Sequence, residues 1–293
     1  MAVFGKNILE NLTTGMYSDS RVMYREYVQN ACDAIDAALK AGIIERQETT
    51  IDISIDPGKK EIRIRDNGIG VCKADFVRVL SDIANSDKKR AIDKGFRGIG
   101  RLCGLAYCTE LHFISSAVGE DSANIMTWNA WKMRTMLNDD CKHTADEVLK
   151  AIVGTSSRPE DTGTHFFEVI MTGVISPDLL EDVAIREYLS FEIPVPYPSN
   201  KFMLEGQIYE HAKSLGVSID EYNVFLNAEQ LFKGYITRIY SGNKVHDEIK
   251  DIKFKDFYDD NDRLIAWMWF GLSSLNGQIK AQGNIQRGLR LRK

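Results

Sequence analysis

Apolar residues fall into helical and strand-like periods along most of this chain. From Ser18 to Ala41, Tyr24, Val28, Ala31, Ile35 and Leu39 share one stripe at a 3.6-residue period, which predicts an amphipathic helix. Gly42 supplies its stop. Ile51, Ile53 and Ile55 then alternate with polar residues, Asp56-Pro57-Gly58-Lys59 reads as a turn, and Ile62 and Ile64 alternate again. The pattern predicts a hairpin that runs directly into Asp66. Residues 74–84 have a helical pattern, and the stretch from Gly98 to Ala106 opens a further helix. Between them, Asn85 to Lys94 is polar and basic without a core pattern, as expected of a mobile loop or lid. Strand patterns follow near 109–115, 124–128 and 164–171, with a helix at 143–152 and a loop around Ser156 to Glu160. Ser176-Pro177 predicts a helix start, with serine as cap and proline in the first turn, running to about Leu189.

Pro194, Pro196 and Pro198 break regular structure within five residues and mark a domain junction. The expected division is residues 1–192 and 193–293. In the second part, a helix near 202–215 ends at Gly216, and strands are expected near 223–226, 233–240 and 264–272. Leu264 to Leu272 is the longest strongly apolar run. It is far too short to span a bilayer and reads as a buried strand. The alternation at Gly288-Leu289-Arg290-Leu291-Arg292-Lys293 stops without a tail, as in a truncated chain.

Composition narrows the function classes. Apolar residues at 44% and charged residues at 27% fit a globular protein with ample core. A net charge of −5 does not favour nucleic-acid binding through bulk electrostatics. Residues 1–11 lack a long apolar stretch and a cleavage-like site, so no secretory signal is read there. Five cysteines, Cys32, Cys72, Cys103, Cys108 and Cys141, are irregularly spaced and include no CxxC pair. That spacing points to a reducing cytoplasm and disfavours a zinc site. Trp128, Trp131, Trp267 and Trp269 are expected as core or interface aromatics.

Four short motifs carry the candidate chemistry. The first is Glu26-x3-Asn30-x2-Asp33 on the first helix, whose three polar residues lie within roughly a 60° arc opposite the apolar stripe. Taken alone, that face is what an ordinary amphipathic helix turns to solvent. The second is Asp66-Asn67-Gly68-Ile69-Gly70. A carboxylate at a strand end can accept a hydrogen bond from an exocyclic amine, and glycines let a planar base approach the backbone. The same residues also make a good turn. The third is Gly95-Phe96-Arg97-Gly98-Ile99-Gly100 ahead of a helix, where free backbone N–H groups attract phosphate oxygens. A glycine-rich loop packed on a neighbour is the bland alternative. The fourth is Thr162-Gly163-Thr164, just before a strand. No GxxxxGK[ST] loop occurs, which excludes P-loop chemistry, and no dinucleotide-binding unit surrounds the third motif.

In this order, the motifs resemble those of the GHKL ATPase superfamily: gyrase, the ninety-kilodalton heat-shock chaperones, histidine kinases and MutL. The match covers roughly residues 5–175. Tyr24-Arg25-Glu26-Tyr27-Val28-Gln29-Asn30-Ala31-Cys32-Asp33-Ala34-Ile35-Asp36 looks most like the chaperone, HtpG-like branch, whereas Gly95-Phe96-Arg97-Gly98 looks more like MutL. The resemblance implies an α+β fold, the Bergerat α/β sandwich of helices on a mostly antiparallel sheet, followed by the start of an α/β middle, or transducer, domain. It implies an ATP and Mg2+ pocket. Glu26 would be the general base, Asn30 the metal ligand and Asp33 a supporting group. Asp66 would read adenine, with Gly68, Gly70 and Thr164 beside it. Gly95, Phe96, Arg97, Gly98, Ile99 and Gly100 would wrap the phosphates, with Lys88 of the basic loop neutralising charge. Arg290, Arg292 and Lys293 are the candidates for a basic side chain reaching the γ-phosphate, against the alternative of a basic edge strand.

The implied function is that of a slow, Mg-dependent, chaperone-like ATPase. ATP binding would close a lid and drive homodimerisation, with client proteins as partners and no membrane association. The Gly-Phe-Arg-Gly segment keeps a MutL-like DNA-processing ATPase as an alternative, with a non-hydrolysing nucleotide-binding scaffold as another. A histidine kinase is disfavoured, because none of His112, His143, His165, His211 and His246 precedes the first motif as a phosphoacceptor.

Overall fold

The computed structural model describes residues 18–81, 100–138, 143–241 and 243–273. The chain divides into two compact units, residues 1–193 with 222–231, and residues 194–221 with 232–293.

The first unit is built on helix α1 (Val22–Lys40) and an eight-stranded sheet. Met23, Tyr24, Tyr27, Val28, Ala31, Cys32, Ile35 and Ala38 form the buried face of α1. Gly42, at φ +69°, turns the chain out of it in the left-handed region that glycine tolerates. Strands β1 (Ile51–Asp56) and β2 (Glu61–Asp66) form the expected antiparallel hairpin, with Ile53 opposite Ile64. Their isoleucines are buried on alternate positions, and α1 packs on β2.

Helix α2 (Lys73–Ser81) and a 3₁₀ segment (Gly100–Ala106) precede β3 (Glu110–Ser116) and β4 (Ser122–Asn129). Helices α3 (Ala130–Asn138) and α4 (Ala145–Ile152) pack against each other and lead to β5 (Val153–Pro159) and β6 (Phe166–Thr172). Thr144 and Glu147 form a reciprocal capping box at the start of α4. Helix α5 (Asp182–Glu192) closes the first pass, and β7 (Val224–Leu226) with β8 (Glu229–Gln230) returns later to the same sheet. The strand order is β5-β4-β3-β6-β2-β1-β7-β8. Every pairing is antiparallel except that of β1 with β7. This is the α+β arrangement on a mostly antiparallel sheet that the motif resemblance implied.

The second unit pairs helix α6 (Glu205–Ser214) with a three-stranded sheet in the order β11-β10-β9. Its strands are β9 (Arg238–Ser241), β10 (Lys244–Tyr258) and β11 (Leu264–Ser273). Phe202, Ile208, Ile249 and Ile252 form its core, ringed by Tyr197, Tyr235, Phe254, Trp267 and Trp269. No helix among the described residues is long and apolar enough to cross a membrane.

Several expectations need correction. The helix expected from Ser176 to Leu189 is two pieces, a 3₁₀ turn at Pro177–Leu180 and then α5, because Glu181 between them is extended at φ −90°, ψ 96°. The helix expected to open at Gly98 is, over the described residues, a 3₁₀ segment. The loop around Ser156 to Glu160 is largely strand β5, a polar and exposed sheet edge. Strand β11 is not buried on both faces, since Ile265, Phe270 and Leu272 are exposed. Of the tryptophans expected as core or interface aromatics, Trp128 is core, and Trp131, at 61% exposed, is not. Helix α3 and the long strand β10 were not foreseen. In β10 the pairing register shifts between Ile249 and Asp251, so the buried positions change parity from Ile249 to Ile252 and no single alternation runs through the strand.

Candidate functional site

Helix α1 supplies the first wall of the site. Glu26, Asn30 and Asp33 share one face, and each is half-buried rather than fully solvated. The Glu26 side chain is only 17% exposed and pairs with Arg25 at 3.3 Å. What narrows the space around it is Gly100: a Cβ built there would lie 2.5 Å from Glu26 Oε2. Glycine at 100 therefore lets the backbone close onto the carboxylate.

The other end of this face meets the Asp66–Gly70 loop. Ile69 N–H donates to the Ala34 carbonyl at 3.1 Å, and a Cβ on Gly68 would fall 2.6 Å from the Ala34 carbonyl carbon. Gly70 sits at φ +70°, and a Cβ there would come within 2.0 Å of the Ser116 carbonyl oxygen. These two glycines thus allow close packing of the loop against α1 and against β3.

Asp66 ends β2 and is 4% exposed. Its Oδ1 accepts the Gly68 N–H at 2.8 Å. Burial pushes its carboxyl up to about 7, against the opposing pull of the Gly68 and Phe167 N–H groups. Asn67 pins the loop from the other side, accepting from Thr50 N–H at 2.8 Å and donating to the Glu48 carbonyl at 2.7 Å.

The Thr162-Gly163-Thr164 motif is an aspartate-stabilised turn, in which Asp161 Oδ1 accepts from Gly163 N–H and the Asp161 carbonyl from Thr164 N–H. It delivers His165, whose Nδ1 donates to the Gly68 carbonyl at 2.8 Å. Ser115 completes the join, accepting from Val71 N–H and donating to the Phe166 carbonyl, both at 2.8 Å. Thr164 is therefore held at the rim of the Asp66 loop, one residue from its direct contact.

Glu26, Asn30, Asp33, Asp66, Gly68, Gly70, Gly100 and Thr164 are thus placed along one helix face and its bounding loops. Lys88, Gly95, Phe96, Arg97, Gly98 and Ile99 lie outside the described residues, as do Arg290, Arg292 and Lys293. Two further residues join the site through strand register, Ser115 and His165, and Tyr27, next to Glu26, joins it by bonding the Arg101 carbonyl and the Gly104 N–H. Tyr27 was legible only as a polar-tipped aromatic on an apolar stripe, and the other two depend on strand register.

Residues 17–155 match the sequence profile of the family described as histidine kinase-, DNA gyrase B-, and HSP90-like ATPase. Among curated proteins, the chain is 23% identical over 289 residues to the chaperone protein HtpG of Wigglesworthia glossinidia brevipalpis, covering 90% of this chain and 40% of that protein. It is 25% identical over 308 residues to HtpG of Helicobacter hepaticus, covering 95% of this chain and 43% of the relative. A shorter match to HtpG of Mesorhizobium japonicum is 30% identical over 134 residues, covering 40% of this chain and 21% of the relative. The chain spans about two fifths of the length of the first two of these relatives. The mixed α/β fold on a mostly antiparallel sheet agrees with that profile, and the chain is similar over residues 17–155 to the histidine kinase-, DNA gyrase B- and HSP90-like ATPases and, over most of its length, to the HtpG chaperones.

Proposed function

We propose that this site binds Mg-ATP along the α1 face and hydrolyses it. The observation that carries this is the pair of contacts at the two ends of that face. Ala34 meets the Asp66 loop and Glu26 meets Gly100. They are eight positions apart, about 12 Å along the helix. That span suits an extended nucleoside triphosphate, with its base at Asp66 and its terminal phosphate near Glu26.

The residues fit such a ligand. Asp66 is a buried carboxyl with Oδ1 already taken by Gly68, and accepting the adenine amine would give its charge a compensating donor. Glu26 is a carboxylate that can orient and deprotonate the attacking water, worth about 10²–10⁴ in rate. Asn30 would hold Mg2+ and Asp33 would support that ligand. Bound there, the ion would neutralise phosphate charge and need few protein ligands, the rest being phosphate oxygens and water. Thr164 would join the adenine-side network through the loop that His165 fixes. Lys88 and residues 95–99 would close over the phosphates.

On this reading the chain acts as a chaperone-like, cytoplasmic ATPase in which nucleotide closes a lid and promotes homodimerisation. Residues 1–192 would form the ATP-binding domain and residues 193–293 the start of a middle, or transducer, domain. The similarity to HtpG proteins supports this assignment over a DNA-processing role. The test is calorimetric titration with ATP, with and without Mg2+, followed by a phosphate-release assay. Mg-dependent binding with slow turnover is expected. Binding without turnover would leave a nucleotide-binding scaffold, and absence of binding by folded protein would overturn the assignment.

A further inference from the structure

The residue after Glu26 makes a contact that the ATPase reading does not use. Tyr27 is 3% exposed, on the apolar stripe of α1, yet its hydroxyl is fully engaged. It donates to the Arg101 carbonyl at 3.0 Å and accepts from Gly104 N–H at 3.1 Å. Gly104 has to be glycine for this, because a Cβ there would lie 2.5 Å from the Tyr27 hydroxyl. One phenol thus bridges the carbonyl and the N–H of a single 3₁₀ turn.

The far end of the same segment is also gripped. Arg134 of α3 donates to the Leu105 carbonyl at 2.7 Å and to the Cys108 carbonyl at 2.6 Å. The segment 100–108 is therefore anchored at its middle by α1 and at its end by α3, and it begins at Gly100. Gly100 is the residue whose backbone closes onto Glu26. Consecutive residues of one helix thus fix the same short stretch: Tyr27 holds residues 101 and 104, and Glu26 faces residue 100.

We infer that Tyr27 is a positioning residue for ATP hydrolysis, its hydroxyl setting the distance between the Glu26 carboxylate and the backbone at Gly100. This rests on the assignment of Glu26 as the base. Without the hydroxyl, the Arg101 carbonyl and Gly104 N–H lose a shared buried partner and the 3₁₀ turn can shift along α1. A shift of a fraction of an ångström at Gly100 moves the carboxylate relative to the phosphate, which harms the chemical step more than the binding of ATP.

The experiment compares Tyr27→Phe with Tyr24→Phe in the full chain. Tyr24 lies on the same buried face of α1, and its hydroxyl donates to the Leu179 carbonyl at 2.7 Å, away from Gly100. Each variant loses a buried tyrosine hydroxyl, so thermal denaturation of both gives the structural baseline. Tyr27→Phe is expected to lower kcat about tenfold with KM for ATP within about twofold of wild type. Tyr24→Phe is expected to keep kcat. Equal kcat in Tyr27→Phe and wild type would overturn the inference, as would equal losses in both variants. If the wild-type chain itself releases no phosphate, it is the ATPase assignment that fails, a result distinct from either of these.

Discussion

The Glu26 carboxylate and the Gly100 backbone approach so closely that a single added carbon at residue 100 would sit 2.5 Å from Oε2. The obstructed atom is the tip of a flexible side chain, which can swing aside. Gly100→Ala should therefore leave thermal stability nearly unchanged while displacing the carboxylate, lowering turnover up to about 10²-fold. Differential scanning calorimetry alongside a phosphate-release assay checks this. Loss of stability in step with activity would show that glycine at 100 serves the fold alone.

Gly70→Ala should behave in the opposite manner. The added carbon would strike the Ser116 carbonyl oxygen at 2.0 Å, a backbone atom that cannot swing aside, at a φ of +70°. The expected destabilisation is at least ~2 kcal/mol, from the left-handed conformation and the clash together. Urea denaturation measures it, and a loss below about 0.5 kcal/mol would contradict the packing role.

Glu26→Ala should retain ATP binding and lose turnover by about 10²–10⁴. Calorimetry and single-turnover assays on one preparation separate the two effects. Turnover equal to wild type would remove Glu26 as the base.

Asp66→Asn should weaken ATP binding by ~1–3 kcal/mol, because an amide turned to satisfy one neighbour leaves another group unpaired. Affinity equal to wild type would take Asp66 out of the base-reading role. The same variant tests the effect of burial. In the fold the Asp66 carboxyl holds its proton up to about pH 7, whereas the unfolded chain releases it near 3.8. Between these values the folded state binds the extra proton, so the stability this group contributes is complete below the window and falls as pH rises through it. The slope can reach about 1.4 kcal/mol per pH unit. Denaturation curves from pH 4 to 7 should show wild type losing stability relative to Asp66→Asn, and parallel curves would place the carboxyl in a wetter setting.

Much of this was legible in the sequence where one period governs a segment. The stripe on α1 and the alternating isoleucines of β1 and β2 gave those elements within a few residues, because each buries one face against a single neighbour. The site residues were legible as types and order, and their grouping on one helix face followed from helical spacing. Three things were not legible. The bulge in β10 breaks its period, so a strand rich in lysine and aspartate showed no face. That the missing side chains of Gly68 and Gly70 also accommodate Ala34 and Ser116 is something only three-dimensional contact reveals. The apolar run of β11 suggested a buried strand, but composition alone does not say that Ile265, Phe270 and Leu272 lie exposed.

The return of residues 222–231 to the first sheet has a practical result for anyone dividing this protein. Strand β7 lies parallel to β1 over Ile51–Ile53, and Tyr222 donates to Asp36 at 2.6 Å, so the first unit is completed by chain that comes after the start of the second. A fragment ending at residue 193 would expose the β1 edge and lose a support for α1, the helix of the proposed site. Cleavage within 194–221 would leave a nicked molecule still joined through strand pairing. The first unit is best produced as an interleaved gene fusion, with 222–231 grafted back by a short linker, rather than as a simple N-terminal truncation product.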